Sequence, residues 1–267
     1  MAGILEKIIA EKKAEVKVRR SQRPLEQLKE QVRSMPKCRN FYKAVVKNNK
    51  RGLNVIAEVK KASPSAGVIR EDFDPVAIAV VYQKCGADAI SVLTDEKYFQ
   101  GRLEYINQIK QAVDLPILRK DFIIDPWQVY ESRAAGADAI LLIAEAVTPG
   151  ELMDLMITAG ELTLTVLLEV HEADVLLRVR SLIGFPKKGY SLLGINNRNL
   201  TTMEVDLNTT SRLAGLLDNK KELVAESGIK VRADVERLRA AGVRAVLAGQ
   251  VLCESADIEK KFRELFG

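Results

Sequence analysis

What most constrains this chain is a rhythm. From residue 55 onward, short runs rich in β-branched residues and leucine recur at 55–60, 89–95, 116–121, 139–145, 165–170, 192–198, 222–228 and 245–251. Between them lie stretches with apolar residues at helical spacing, among them 75–85, 126–135, 149–159 and 233–241. The runs start about 23 to 34 residues apart, which is the length of one strand, one helix and their connections. A helix after each strand carries the chain back to begin a parallel neighbour, so eight such units predict an all-parallel sheet. An internal echo supports the reading: Gly86-Ala-Asp-Ala-Ile90 returns as Gly136-Ala-Asp-Ala-Ile140, and 241–246 is a looser copy. Each places a glycine at a helix end just before a strand, where a left-handed cap is needed. The fold class is therefore α/β, and eight units in about 210 residues predict a (β/α)8 TIM barrel. An open doubly wound sheet is disfavoured, because neither GxGxxG after the first strand nor a P-loop is present.

Residues 1–50 stand outside the rhythm. Ile4, Leu5, Ile8, Ile9 and Val16 follow helical spacing, and so do Leu25, Leu28, Val32 and Met35. They predict an N-terminal helical extension over 1–50, packed on a barrel over 51–267, in one domain overall. Charge divides at the same place. Residues 1–50 carry 14 Lys and Arg against 5 Asp and Glu, whereas the rest carries 27 against 31. A basic arm can serve a nucleic acid. Here acids are interleaved and the nearest aromatics, Phe41 and Tyr42, lie beyond both helices, so we read a solvated helix face and no nucleic-acid partner. No apolar run approaches the length of a membrane span, and the first residues lack the pattern of a secretory signal. Three cysteines without CxxC spacing fit a reduced, cytoplasmic protein, expected as a monomer or weak homodimer.

One count narrows the chemistry. The chain has 1 His, His171, so a poly-histidine metal site is excluded and acid–base work falls mainly to Glu, Asp, Lys, Tyr or Cys. In a barrel such groups belong at the C-terminal ends of the strands. Side chains two apart share a strand face, which aligns Glu58 with Lys60, Lys120 with Phe122, and Asn196 with Arg198, with Glu169 following Leu167. If those faces point inward, two lysines, two glutamates, an asparagine and an arginine meet at one mouth. The seventh run ends in Glu226-Ser227-Gly228 and the eighth in Gly249-Gln250. Barrels often hold phosphate on backbone N–H groups there. His171 opens a helical stretch and reads as structural, as do Cys38, Cys85 and Cys253, none of which has a base beside it.

Five ordered stretches then resemble a known family. They are Ile56-Ala-Glu-Val-Lys-Lys-Ala-Ser-Pro-Ser65, Leu118-Arg-Lys-Asp-Phe-Ile123, Leu168-Glu-Val-His171, Gly194-Ile-Asn-Asn-Arg-Asn-Leu200 and Ala225-Glu-Ser-Gly-Ile229. With the segment from Ser91 to Gly101, they resemble the motifs of indole-3-glycerol phosphate synthases over nearly the whole chain. The resemblance implies cofactor-free and metal-free ring closure of 1-(2-carboxyphenylamino)-1-deoxyribulose 5-phosphate, with loss of CO2 and water, in tryptophan biosynthesis. By position it implies Lys120, Glu169, Glu58, Lys60 and Asn196 as catalytic, and Ser63, Phe122, Arg198 and Ser227 as substrate-binding. Gly228, Gly249 and Gln250 would hold the phosphate. Gln250 departs from the family pattern, which has a small or acidic residue after that glycine. The chemistry fits: Lys120 as general acid, Glu58 holding or resupplying its proton, and Glu169 and a Lys–Glu pair alternating as acid and base in the later steps. A phosphoribosylanthranilate isomerase would instead need a cysteine base ending the first strand and an aspartate ending the sixth, where this chain has Glu58/Lys60 and Asn196/Arg198.

Overall fold

The computed structural model describes residues 3–200 and 202–267; Met1 and Ala2 of the N-terminal segment, and Thr201, lie outside it. Eight parallel strands close into a barrel: β1 (Asn54–Val59), β2 (Ala89–Leu93), β3 (Ile117–Lys120), β4 (Ala139–Ile143), β5 (Thr165–Val170), β6 (Ser191–Asn196), β7 (Leu223–Glu226) and β8 (Ala245–Ala248). Each strand pairs with its sequence neighbours, and β1 pairs with both β2 and β8. All eight runs anticipated from sequence are strands; the fifth ends with its run at Val170, and the others end one to three residues before theirs. The helices between them start where the sequence caps them. Asp74, Asp125 and Thr148 each accept a hydrogen bond from the first turn, and each is followed by proline at the first helical position. At the other end, Gly86 and Gly136 adopt φ of 83° and 98°, the left-handed cap that the repeated motif predicts.

Strand alternation separates two cores. Val55, Ala57 and Val59 of β1 face the helices, whereas Ile56 faces the barrel axis with Leu118, Leu141, Leu167, Leu192, Val224 and Leu247. Both faces are buried, which is why the strands read as continuous apolar runs rather than as alternating ones. The next inward position after this apolar layer is where the polar groups begin.

The N-terminal segment forms α1 (Ile4–Gln22), α2 (Leu25–Arg33) and α3 (Phe41–Val46). The third was not anticipated. Asn40 caps it, and its Phe41 and Val45 are fully buried against Ile56, Leu118 and Leu192, closing the barrel at the end opposite the mouth. The solvated-face reading of the arm also needs correction. Lys12 is 3% exposed and lies 2.9 Å from Asp95 and 3.1 Å from Asp121, while Arg39 donates to the carbonyls of Lys110, Val113 and Leu115. Part of the excess positive charge therefore ties the arm down instead of facing water. Among the described residues no helix is long and apolar enough to cross a membrane.

Candidate active site

All twelve residues singled out from sequence line one cavity at the C-terminal ends of the strands. At its floor Lys120 closes β3, and its Nζ stands 3.1 Å from Glu169 Oε2 on β5 and 3.3 Å from Glu226 Oε2 on β7. Asn196 of β6 donates through Nδ2 to Glu169 Oε1 at 3.1 Å. The two carboxylates are almost wholly buried, and their environments drive them apart. Burial alone would raise the pKa of Glu169, but Lys120, His171 and Asn196 outweigh it and hold the group well below the ordinary carboxylate value. Glu226 has one cation near it. Burial and then the charge of Glu169 push it up to about 8, against the pull of Lys120. Burial likewise disfavours the Lys120 ammonium, yet Glu169, Glu226 and Glu58 together hold its pKa above the usual lysine value. The floor thus sets an ammonium beside two carboxyl groups whose pKa values are pushed apart, which is a set of groups fit for moving protons.

The walls are built by the same alternation. Glu58 is buried at the end of β1 and pairs with Lys60 Nζ at 2.5 Å. Ser63 stands in a short hairpin, Ala62–Ser63 against Gly67–Val68, and its Oγ accepts from the Ala66 N–H at 3.2 Å. Phe122 faces Phe99, with ring centroids 6.3 Å apart. Arg198 donates its backbone N–H to Asn196 Oδ1 and its Nη1 to the Met203 carbonyl, each at 3.0 Å. Asn197, pointing the opposite way from Asn196, donates to the carbonyls of Glu226 and Ser227 and so fixes the end of β7. Beyond it Ser227 and Gly228 adopt φ of 65° and 91°, a left-handed turn in the cavity wall. Gln250 opens the short helix Gln250–Cys253, and its side chain is turned along that helix, donating to Glu254 Oε1 at 2.7 Å.

Gly249 has a steric reason. A Cβ there would overlap Glu58 Oε1 and lie 2.8 Å from Glu58 Cβ and Cδ. Gly249→Ala is therefore expected to push Glu58 off Lys60 and lower kcat/KM by about 10-fold or more, since displacements near 1 Å carry such costs. Steady-state kinetics on the folded variant check this, and an unchanged kcat/KM would remove Gly249 from that role. Gly194 repeats the device: a Cβ on it would overlap Glu226 Oε1.

Sequence reasoning missed three parts of the site. Glu226 was passed over for Ser227 and Gly228, although its place two residues after the inward Val224 marked it. His171, read as structural, instead turns its ring inward, with Nε2 3.1 Å from Glu169 Oε1. Ile4, Leu5 and Ile8 of α1 line the cavity, so the arm supplies part of its wall. The cysteines behave as read: burial raises the pKa of all three thiols, and none lines the cavity.

Comparison with known proteins gives the same answer as the residues. The sequence profile described as indole-3-glycerol phosphate synthase matches residues 5–265. An indole-3-glycerol phosphate synthase of Geobacillus thermodenitrificans is 47% identical over 264 residues, covering 99% of this chain and 97% of its own. One from Rhodopirellula baltica is 47% identical over 235 residues, covering 88% of each. A solved 3-hexulose-6-phosphate synthase shares the fold alone, with a TM-score of 0.61 at 16% identity over 80% of this chain and 98% of that one. With the motifs in order, the barrel closed and a buried acid–base cluster at its mouth, the chain belongs to the indole-3-glycerol phosphate synthase family.

Proposed function

We propose that this cavity carries out the family's carboxy-lyase reaction by proton transfers among Lys120, Glu226 and Glu169. The observation that carries the reading is the contact of Lys120 with two buried carboxyl groups, at 3.1 Å and 3.3 Å, whose surroundings push their pKa values in opposite directions. Ring closure joins the carboxylate-bearing ring carbon to the ketone carbon, and Lys120 gives a proton to the ketone oxygen as it becomes a hydroxyl. CO2 then leaves, its bonding electrons restoring the aromatic ring. Glu226, protonated beside the lysine, returns a proton to the amine. A second proton, delivered by the same route from solvent, lets the hydroxyl depart as water. Glu169 takes the proton released from the adjacent carbon as the indole double bond forms. Two protons go in and one comes out, so one net proton is consumed with the lost carboxylate.

The remaining assignments follow the charges. Lys60 and Arg198 receive the anionic groups of the substrate, Phe122 with Leu5 covers the ring, and Ser63 donates at the rim. Ser227, Gly228, Gly249 and Gln250 offer backbone N–H groups to the phosphate. The Gln250 side chain takes no part, being held by Glu254. The sequence reading gave Glu58 the task of restoring the proton of Lys120. We assign it to Glu226, because Glu58 is engaged with Lys60. We further propose that the arm and barrel act as one unit, monomeric or weakly dimeric, in the cytoplasm.

The test is direct. Purified chain is mixed with 1-(2-carboxyphenylamino)-1-deoxyribulose 5-phosphate in buffer containing chelator, and indole fluorescence is followed against heat-denatured protein. A rise unaffected by chelator is expected. A folded protein that gives no rise overturns the reading.

A further inference from the structure

The chain's only histidine is placed between two carboxylates, and nothing in the proton transfers above uses it. His171 is the inward residue two positions after Glu169, just past the end of β5, and its side chain is 8% exposed. Its Nε2 lies 3.1 Å from Glu169 Oε1, and its Nδ1 lies 3.2 Å from Glu145 Oε2. Glu145 comes from the turn Ala144–Ala146 that follows β4. Because Ile143 is in register with Glu169, Glu145 arrives level with His171. Its other oxygen, Oε1, accepts the backbone N–H of His171 at 2.9 Å. Glu145 thus holds the His171 backbone by a hydrogen bond, while each ring nitrogen lies within ion-pair distance of a carboxylate without an aligned hydrogen bond, Nε2 on the side of Glu169.

We propose that His171 is a positioning residue: with Glu145 behind it, it holds Glu169 in one orientation and as an anion throughout the reaction. The inference rests on Glu169 being the proton acceptor. Its physical need comes from Lys120. That ammonium is the other cation on Glu169, and it gives up its charge each time it delivers a proton. During those intervals a carboxylate buried beside Glu226 would capture the nearest proton and cease to be a base. A second cation that does not react prevents this. Among the described residues, the charged groups facing the imidazole are Glu145 from the turn after β4 and Glu169 near the end of β5, two residues before it, with Lys120 of β3 and Glu226 of β7 behind Glu169. Burial disfavours the imidazolium, but the two facing glutamates outweigh it and raise its pKa to about 10.

A single histidine makes the charge state readable without assignment. In tag-free protein labelled with 15N-histidine, both ring nitrogens are expected to remain protonated from pH 6 to above pH 8. A ring that titrates near the ordinary value of about 6.5 overturns the proposal. Kinetics supply the second reading. His171→Leu is expected to lower kcat about 10- to 100-fold with KM within about 3-fold. It should also move the acid limb of kcat upward by about one pH unit, because Glu169 loses a neighbouring cation. His171→Gln, which keeps a neutral donor, is expected to recover part of kcat but leave the limb displaced. An unmoved limb in the leucine variant, even with reduced thermal stability, overturns the proposal by making the residue merely structural. Glu169→Gln separates this from the underlying reading. Retained turnover there removes Glu169 as proton acceptor and the inference with it, whereas an inactive Glu169→Gln beside a neutral His171 overturns the inference alone.

Discussion

Replacing Lys120 with alanine is expected to lower kcat by at least about 100-fold, the usual cost of removing a general acid. Two losses act together. The proton donor to the ketone oxygen disappears, and so does the cation 3.1 Å from Glu169 and 3.3 Å from Glu226. The pKa values of those carboxyl groups are already pushed apart, and without the ammonium the lowering of Glu169 weakens. The residual activity should therefore appear only at higher pH than in the parent, with the acid limb moved upward. Lys120→Arg separates the two losses. A guanidinium keeps the positive charge but does not yield its proton near neutral pH. It is expected to preserve the position of the acid limb while remaining as slow as the alanine variant. Circular dichroism establishes that both variants are folded, and indole fluorescence measures kcat. Near-normal turnover by either variant would take Lys120 out of the proton path.

How much of this was legible beforehand depended on whether a feature is local in the chain. Strand and helix rhythm is local, and so are the Asp-Pro caps and the glycines before strands, so the barrel could be read from one sequence. Inward alternation is also local, which is why Glu58, Lys120, Glu169 and Asn196 were identified as meeting at the mouth. What sequence could not carry is the effect of neighbours across the barrel. Glu226 looks like an ordinary strand end until Lys120 and Glu169 are seen beside it. His171 sits in a helix-start pattern and gains its meaning from Glu145, which lies 26 residues earlier. The steric need for Gly249 comes from Glu58, on a strand at the far end of the sequence. α3 was missed because six residues are too few for a periodicity to stand out. Lys12 was missed because charge counting treats every lysine as solvated.

That last error leads to the largest stability effect we expect. Lys12 is as buried as the aspartates it meets: 3% exposed, between Asp95 and Asp121 at 3.1 Å or less, with Glu15 beside it at 2.8 Å. Asp121 also receives Arg119 Nη2 at 3.0 Å and the Thr94 hydroxyl at 2.5 Å. Burial would raise its pKa, but Arg119 and Lys12 outweigh this and hold it well below the ordinary aspartate value. Lys12→Met keeps most of the volume and removes the charge. It is expected to cost about 3–5 kcal/mol at pH 7, because breaking a buried ion pair from one side strands the other. The pH dependence has a definite sign. A depressed folded pKa contributes stability that is fully present above the unfolded value, which is 3.8 for Asp121, and is lost as pH falls through the folded one. The gap between wild type and Lys12→Met should therefore be full at pH 7 and narrow below about pH 4. Urea unfolding at the two pH values measures it. A gap that stays constant on acidification would mean that Lys12 stabilises by packing its methylenes and not by its charge. Asp121 directly follows Lys120, so a loosened arm also frees the segment that carries the acid. Turnover is then expected to fall before the barrel unfolds as urea is raised, linking the arm's anchorage to the chemistry at the mouth.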